Sequence, residues 1–157
     1  MYLILQQEKP DDYVIATGVT TTIRDLVKFS AAELGLEISF RGEGTEEKGF
    51  ITAIDEKVFI GKVGEKFLEG IKARKTENPK SELDKNKVIV AVDPTYFRPT
   101  EVDLLIGDSS KARKQLNWEP QYDLKGLVKD MMQSDVNLMK KDSYLSEGGY
   151  RTLNYFE

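Results

Sequence analysis

The order of apolar and polar residues predicts an α/β protein. A run of β-branched residues, Val-Ile-Val-Ala-Val at 88–92, is typical of a buried strand. A second short apolar run at 13–16 precedes a capped helical pattern, and a longer helical pattern covers about 124–141. The sequence therefore predicts two βα units around a charged insertion, within a single domain of residues 1–157.

The amino-acid composition excludes several kinds of partner and functional site. The 157 residues carry 23 Lys and Arg against 27 Asp and Glu, which gives a net charge of −4 and argues against a nucleic-acid partner. The apolar runs are too short to cross a bilayer, and no signal-peptide pattern opens the chain. Without cysteine or histidine, disulfides, thiolates, imidazole bases and the usual zinc sites are excluded. We therefore expect a cytoplasmic protein with no metal site.

The first part of the chain predicts helix, strand, helix and strand. Residues 1–7 are apolar enough for the last turns of a helix but have no N-cap, so we expect the chain to begin inside an element. Residues 13–16 are predicted to form a buried strand. Thr22 caps a helix that runs to about Leu34, with Gly35 after its end and a strand at 37–40. The Gly42-Glu43-Gly44-Thr45 segment is predicted to be a turn rather than a phosphate-binding loop.

Residues 50–86 are predicted to be a variable, partly flexible insertion. The residues that fit short strands are Ile51, Ala53, Ile54 and the 58–60 run, and those with helical spacing are Phe67, Leu68 and Ile71. The 76–86 segment is charged and contains Asn78-Pro79, which favours an exposed loop. Composition favours a solvated insertion at the domain edge; a lid over a ligand or an oligomer contact is the alternative.

The loop after the 88–92 run contains a candidate binding pair. Pro94 and Pro99 restrict the backbone on either side of Arg98, and Pro99 suits the first position of a helix. Arg98 and Glu101 would then face the same side of one helical turn. A guanidinium can hold a phosphate with two hydrogen bonds, and a carboxylate can accept hydrogen bonds from a ribose diol. The pair is therefore either a clamp for a nucleoside diphosphate or a surface ion pair of little energetic weight.

The last part of the chain predicts a strand and two helices. Residues 102–106 fit a short strand, and Asp108-Ser109-Ser110 caps a helix of about 110–116 that ends at Asn117. Trp118 is expected to pack over that helix. Asp123 caps the long final helix, and the tail that follows has apolar residues at every third position: Tyr150, Leu153 and Phe156.

The motif Asp-Pro-x-Tyr-Phe-Arg-Pro-Thr-Glu-Val-Asp-Leu-Leu-x-Gly-Asp at 93–108 resembles the C-terminal signature of the GDP-mannose 4,6-dehydratases. These are extended short-chain dehydrogenase/reductase enzymes that use NADP. Further segments also resemble the family: Leu5-Gln6-Gln7, residues 12–18, Ile23-Arg24-Asp25, Glu46-Glu47-Lys48-Gly49, Lys111-Ala112 and Leu116-x-Trp118-x-Pro120. The resemblance covers nearly the whole chain except about 50–86.

The resemblance implies the C-terminal, substrate-binding part of such an enzyme, with short strands, flanking helices and no Rossmann cofactor half. The family is a group of lyases that convert GDP-mannose to GDP-4-keto-6-deoxymannose, on the route to GDP-fucose. Arg98 and Glu101 would bind the GDP-sugar. Thr95 departs from the family, which usually has a basic residue there. The chain has no Gly-x-Gly-x-x-Gly and no Tyr-x-x-x-Lys pair, so we expect it to supply no catalytic residue and no NADP-binding residue.

We therefore expect a fragment that binds a GDP-sugar weakly and is inactive alone. Its expected partners are the missing N-terminal half or further copies of itself. Two alternatives stay open on the sequence: a non-enzymatic nucleotide-sugar binder or assembly partner of a complete dehydratase, and a remnant without activity.

Overall fold

A computed structural model of the protein describes residues 1–73, 88–98 and 105–152. These residues form an α/β structure, as predicted, with a short 3-10 helix at Gly44–Glu46. The helices are α1 Tyr2–Leu5, α2 Ile23–Glu33, α3 Glu56–Lys62, α4 Glu65–Ala73, α5 Ser110–Leu116 and α6 Leu124–Glu147. The strands are β1 Leu36–Arg41, β2 Lys48–Ile54 and β3 Val88–Ala91. No helix in the described part of the chain is long and apolar enough to span a membrane.

The three described strands form one antiparallel sheet in the order β1-β2-β3. The β1–β2 hairpin pairs Leu36 with Ile54 at one end and Arg41 with Lys48 at the other. β3 pairs with the start of β2, where Lys48 lies opposite Ala91. The strand predicted at 88–92 is therefore confirmed, but it lies at the sheet edge and is mostly exposed rather than buried. This edge position brings the following loop, with Arg98, beside the start of β2.

The buried core lies between α2, the hairpin and the α3–α4 pair. Its buried members are Ala31, Leu36, Phe59 and Leu68. Thr22 caps α2 by accepting a hydrogen bond from the Asp25 amide, 3.0 Å away, as its sequence predicts. Burial of a Phe or Leu side chain stabilises a fold by about 1.5–3 kcal/mol, so Phe59 and Leu68 are principal contributors to this small core.

The described part of the predicted insertion packs into this core instead of lying in solvent. The strand at Ile51–Ile54 and the helix around Phe67–Ile71 are confirmed as parts of β2 and α4. The strand alternative for 58–60 is wrong, because Asp55 accepts a hydrogen bond from the Val58 amide and begins α3 there. Phe59 then turns inward and is only 3% exposed. The charged 76–86 segment, where an exposed loop was predicted, lies outside the described residues.

The strand predicted at 13–16 is wrong. This segment has no strand pairing with any described residue, and Val14 and Ile15 are about half exposed. The predicted 102–106 strand extends outside the described residues, and its described part, Leu105 and Ile106, is also unpaired and exposed. An apolar β-branched run becomes a strand only where a neighbouring strand completes its hydrogen bonds. Neither segment has such a neighbour among the described residues.

Both C-terminal helices are present where the sequence predicts them. Ser109, the N-cap of α5, makes no capping hydrogen bond with its side chain; Asp108 Oδ1 instead accepts from the Ser110 amide at 2.9 Å. α5 ends at Asn117, which takes the left-handed conformation (φ 50°) expected of a helix-terminating Asn. α6 is six residues longer than the predicted end at Lys141. It ends at Gly148-Gly149, where the Tyr150 amide donates to the Leu145 carbonyl and the Gly149 amide donates to the Ser146 carbonyl. Residues 153–157 of the tail lie outside the described part of the chain.

Candidate nucleotide-binding site

A tight turn after β3 presents Arg98. The Asp93 side chain accepts a hydrogen bond from the Thr95 amide at 2.8 Å, and the Tyr96 amide donates to the Asp93 carbonyl at 3.1 Å. Pro94 occupies the second position of this turn, where its fixed φ is favourable. The turn predicted after β3 is therefore present from Asp93 to Tyr96, whereas the restriction of Arg98 by Pro99 concerns a residue outside the described part of the chain.

The structure places one member of the candidate pair. Arg98 is exposed to solvent two residues after the turn. Glu101 lies outside the described residues, as does the helical start predicted at Pro99. The sequence-based pairing of Arg98 with Glu101 therefore stays a prediction.

The loop between β1 and β2 packs beside the Arg98 turn. A Cβ atom added to Gly44 would lie 3.7 Å from the ring of Phe97, the residue before Arg98. Gly42 has a positive φ of 88°, and a Cβ there would collide with the Glu46 carbonyl. The segment thus bends at 42–43 and enters the 3-10 helix Gly44–Glu46, a tight reversal of the chain in line with the predicted turn, and it lies beside Phe97.

An ion pair that sequence reasoning did not identify anchors the same region. The Arg24 Nη2 donates to Glu47 Oε2 at 3.0 Å, and its Nε donates to Glu47 Oε1. The Glu47 carbonyl in turn accepts from the amide of Val92, at the end of β3. The hydrogen bond from Arg24 lowers the pKa of Glu47, and the same contact raises the pKa of Arg24.

This pair connects the first turn of α2 to the base of the Arg98 loop. A two-pronged guanidinium–carboxylate contact fixes geometry as well as charge, so Arg24 and Glu47 hold the end of β3 in place. The two residues are 23 positions apart, a separation that helical or strand periodicity does not reveal. Their appearance in segments that resemble the family was the one available signal.

A cavity of about 620 Å³ lies elsewhere, between residues 17–29 and the start of α6. Phe29, Tyr122 and Lys125 line it, and the Lys125 ammonium lies 5.8 Å from the centre of the Phe29 ring. Its lining includes no residue of the 93–98 turn. The exposed guanidinium of Arg98 therefore lies outside this cavity.

Comparison with known proteins shows which family the chain resembles. The sequence model of the family described as "GDP-mannose 4,6 dehydratase" matches residues 1–131, which include Arg24, Glu47 and Arg98. A GDP-mannose 4,6-dehydratase of Vibrio cholerae is 35% identical over 150 residues, which cover 95% of this chain and 34% of the relative. A GDP-mannose 4,6 dehydratase of Drosophila melanogaster is 39% identical over 142 residues, which cover 90% of this chain and 28% of the relative.

The chain thus spans about a third of the length of the relatives that it matches. A family match over 131 residues, together with relatives aligned along nearly the whole chain, is far more extensive than a single shared motif. The chain belongs to the GDP-mannose 4,6-dehydratase family.

Proposed function

We propose that this chain is the GDP-sugar-binding part of a GDP-mannose 4,6-dehydratase, the C-terminal portion of an extended short-chain dehydrogenase/reductase. Arg98 contacts the diphosphate and Glu101 contacts the ribose. The observation that carries this proposal is the exposed position of Arg98, two residues after the Pro94 turn and within the matched region of the family. A guanidinium held on a rigid backbone loses less entropy when it grips a phosphate with two hydrogen bonds.

The family's chemistry requires more than this chain offers. When bound, NADP takes a hydride from the sugar and later returns it. The chain contains neither a Gly-x-Gly-x-x-Gly sequence nor a Tyr-x-x-x-Lys pair, so in this proposal NADP and the proton-transferring groups belong to the rest of the polypeptide. This chain orients the nucleotide so that the sugar reaches those groups.

The expected affinity of the isolated chain for GDP is low, because the chain offers few contacts to the nucleotide. A hydrogen bond to a charged group contributes about 1.5–3 kcal/mol, which is less than the cost of immobilising a ligand. We therefore expect a GDP dissociation constant no better than roughly 1 mM for the chain alone. GMP, which lacks the diphosphate bridge, should bind more weakly than GDP.

The test uses a chimera in which this chain replaces the matched third of the Vibrio cholerae relative. GDP is titrated into the chimera and into its Arg98→Lys and Glu101→Gln variants, with Arg151→Lys as a matched control at an exposed arginine. Arg98→Lys should weaken GDP about tenfold although the charge is kept, because lysine loses the two-pronged grip. Arg151→Lys should leave the dissociation constant unchanged. Four equal dissociation constants would make the pair structural and end the nucleotide interpretation.

Measurement of turnover distinguishes part of a dehydratase from a non-enzymatic nucleotide-sugar binder. Neither the isolated chain nor any variant of it should form a 4-keto product from GDP-mannose and NADP, whereas the chimera should. Product from the isolated chain would contradict the division of roles proposed above. A chimera that binds GDP through Arg98 without turnover would favour a non-enzymatic nucleotide-sugar binder.

A further inference from the structure

Glu47 lies where three segments of the chain meet. It follows the 3-10 helix Gly44–Glu46 and directly precedes β2, and its amide, carbonyl and side chain each contact a different segment. Its side chain is 15% exposed, whereas that of Arg24 is 57% exposed. A carboxylate that is largely removed from water needs a partner, so the contact with Arg24 compensates a charge that the fold has partly buried.

The Glu47 carbonyl holds the backbone that leads to Arg98. It accepts a hydrogen bond from the amide of Val92 at 3.4 Å, directly after β3. Val92 is followed by Asp93, whose carboxylate accepts from the Thr95 amide at 2.8 Å and so fixes the turn. The start of the turn is therefore attached to the start of β2 through one residue, Glu47.

The Glu47 amide closes the 3-10 helix on the other side of the turn. It donates to the Gly44 carbonyl at 3.3 Å. A Cβ added to Gly44 would lie 3.7 Å from the ring of Phe97, so the 3-10 helix is in van der Waals range of the residue that precedes Arg98. The Phe97 amide also donates to the Pro94 carbonyl at 3.4 Å. Glu47 is thus linked both to the backbone that begins the turn and to the helix beside Phe97.

The side chain of Glu47 is in turn held by a fixed part of α2. Thr22 Oγ1 accepts from the Asp25 amide at 3.0 Å and donates to the Asp25 carboxylate at 2.8 Å, which fixes the first turn of the helix. Arg24 lies within this turn and makes a two-pronged contact with the Glu47 carboxylate. Such a contact restrains orientation as well as distance, so the position of Glu47 is referred to α2 and to the core beneath it.

We propose that Arg24 and Glu47 are positioning residues for the nucleotide site: their ion pair holds the 93–98 segment so that the Arg98 guanidinium is oriented before a nucleoside diphosphate arrives. Neither residue touches the nucleotide, and both act through Arg98. A group that is oriented in advance loses less conformational entropy on binding, so the ion pair raises affinity without adding a contact. This inference rests on the proposed function, because it names what sets the affinity of the Arg98 site.

The first test is the dissociation constant for GDP in the chimera defined above. Glu47→Gln keeps the shape of the side chain and removes its charge, so it should weaken GDP by about three- to tenfold. Glu33→Gln is the matched control. Glu33 also lies on the α2 side of an ion pair, with Lys62 at 3.0 Å, but that pair joins α2 to α3 and not to the 93–98 segment. Glu33→Gln should leave the dissociation constant unchanged.

Coupling to Arg98 separates positioning from a general effect on the fold. In a chimera that already carries Arg98→Lys, the guanidinium that Glu47 orients is gone. Glu47→Gln should then change the dissociation constant for GDP by less than about twofold, so the two substitutions are not additive. A residue that only stabilised the fold would weaken GDP by the same factor in both backgrounds.

Amide hydrogen exchange in the isolated chain supplies a readout that needs no nucleotide. Glu47→Gln should speed exchange in peptides that cover 92–98 by about fivefold, because the restraint on this segment is lost. Exchange in the part of α2 after its first turn should stay within about twofold of the unsubstituted chain, since the core that holds this helix is intact. Glu33→Gln should leave exchange at 92–98 unchanged.

Three results would overturn the inference. One is an unchanged dissociation constant for Glu47→Gln in a chimera that Arg98→Lys weakens. Another is an equal loss of affinity from Glu47→Gln in the two Arg98 backgrounds. The third is unchanged exchange at 92–98, which decides the case even if the chimera fails to fold. Each of these leaves the proposed function intact, whereas GDP binding that Arg98→Lys does not weaken would remove the proposed function and this inference together.

Discussion

The core region and an exposed apolar set, which consists of Tyr2, Leu5, Val14, Ile15, Leu105 and Ile106, use similar apolar residues to opposite effect. In the core region, which consists of α2, β1, β2, α3 and α4, Leu68 is 3% exposed. In the exposed apolar set, Leu105 is 79% exposed and Leu5 is 77% exposed. The first region is closed by its own helices, whereas the second is covered by nothing among the described residues. The contrast separates a core that the chain closes itself from an apolar surface that the described residues leave exposed.

The largest expected difference between the two regions is in free energy of unfolding. Leu68→Ala should cost about 2–5 kcal/mol, because it removes buried methyl groups and leaves a cavity. Leu105→Ala should cost less than about 0.5 kcal/mol in the isolated chain, because the side chain already lies in water. Urea unfolding followed by circular dichroism measures both values. Equal losses would show that Leu105 belongs to a core and that the comparison is wrong.

Two glycines with nearly the same φ sharpen the comparison. Gly35 (φ 76°) lies in the core region, and a Cβ there would approach both the Asp55 carbonyl and the Val58 Cβ to 2.9 Å. Gly18 (φ 78°), which follows the 13–16 segment, has no atom within 4 Å of such a Cβ. Gly18→Ala should therefore cost about 1–2 kcal/mol for the left-handed backbone alone.

Gly35→Ala should cost about 1–3 kcal/mol more than Gly18→Ala, because the added methyl group must also displace α3. The same urea titration measures the difference. If the two variants lose equal stability, α3 does not pack against Gly35 in solution.

The smallest expected effect is on the stability of the fold at acidic pH. Arg24 holds the pKa of Glu47 below its ordinary value of 4.5, and Lys111 holds the pKa of Asp11 below its ordinary value of 3.8. The unfolded chain binds more protons than the folded chain below these ordinary values, so both pairs stabilise the fold at neutral pH and lose that contribution as pH falls through the folded pKa.

Glu47→Gln should therefore flatten the decline of the thermal midpoint below about pH 4.5, and Asp11→Asn should do so less and only below about pH 3.8. The Asp11 side chain is 47% exposed and that of Glu47 is 15% exposed, so water and salt screen the Asp11 pair more. Thermal scans between pH 3 and 7 at two salt concentrations test this order. If salt weakened the Glu47 pair more than the Asp11 pair, the expected order of the two contributions would be wrong.

Local signals predicted much of the fold. Thr22 and Asp123 are the helix caps that their sequence positions indicate, and Asn117 adopts the left-handed conformation expected of it. These features depend on residues within a few positions of one another, so the sequence contains the whole cause. The turn that presents Arg98 was predictable for the same reason, since Pro94 restricts its backbone directly.

The errors concern partners that lie far away in the sequence. The 13–16 segment and the 88–92 run have the same apolar character, but only the second finds a neighbouring strand among the described residues. The Arg24–Glu47 pair, likewise, depends on two segments brought together by the sheet. An apolar pattern indicates that burial of a segment is favourable. The residues that cover the segment are determined by the tertiary structure. Glu101, the second member of the predicted clamp, stays a sequence-based assignment.

Thiol labelling tests the central contrast most directly, because the chain contains no cysteine and each variant has a single reactive group. Leu105→Cys in the isolated chain should react with a thiol reagent about as fast as an unfolded peptide. Leu68→Cys should react more slowly by about a thousandfold or more, since it becomes accessible only when the core opens. Equal rates at the two positions, or slow labelling of Leu105→Cys, would contradict the division into a closed core and an exposed apolar set.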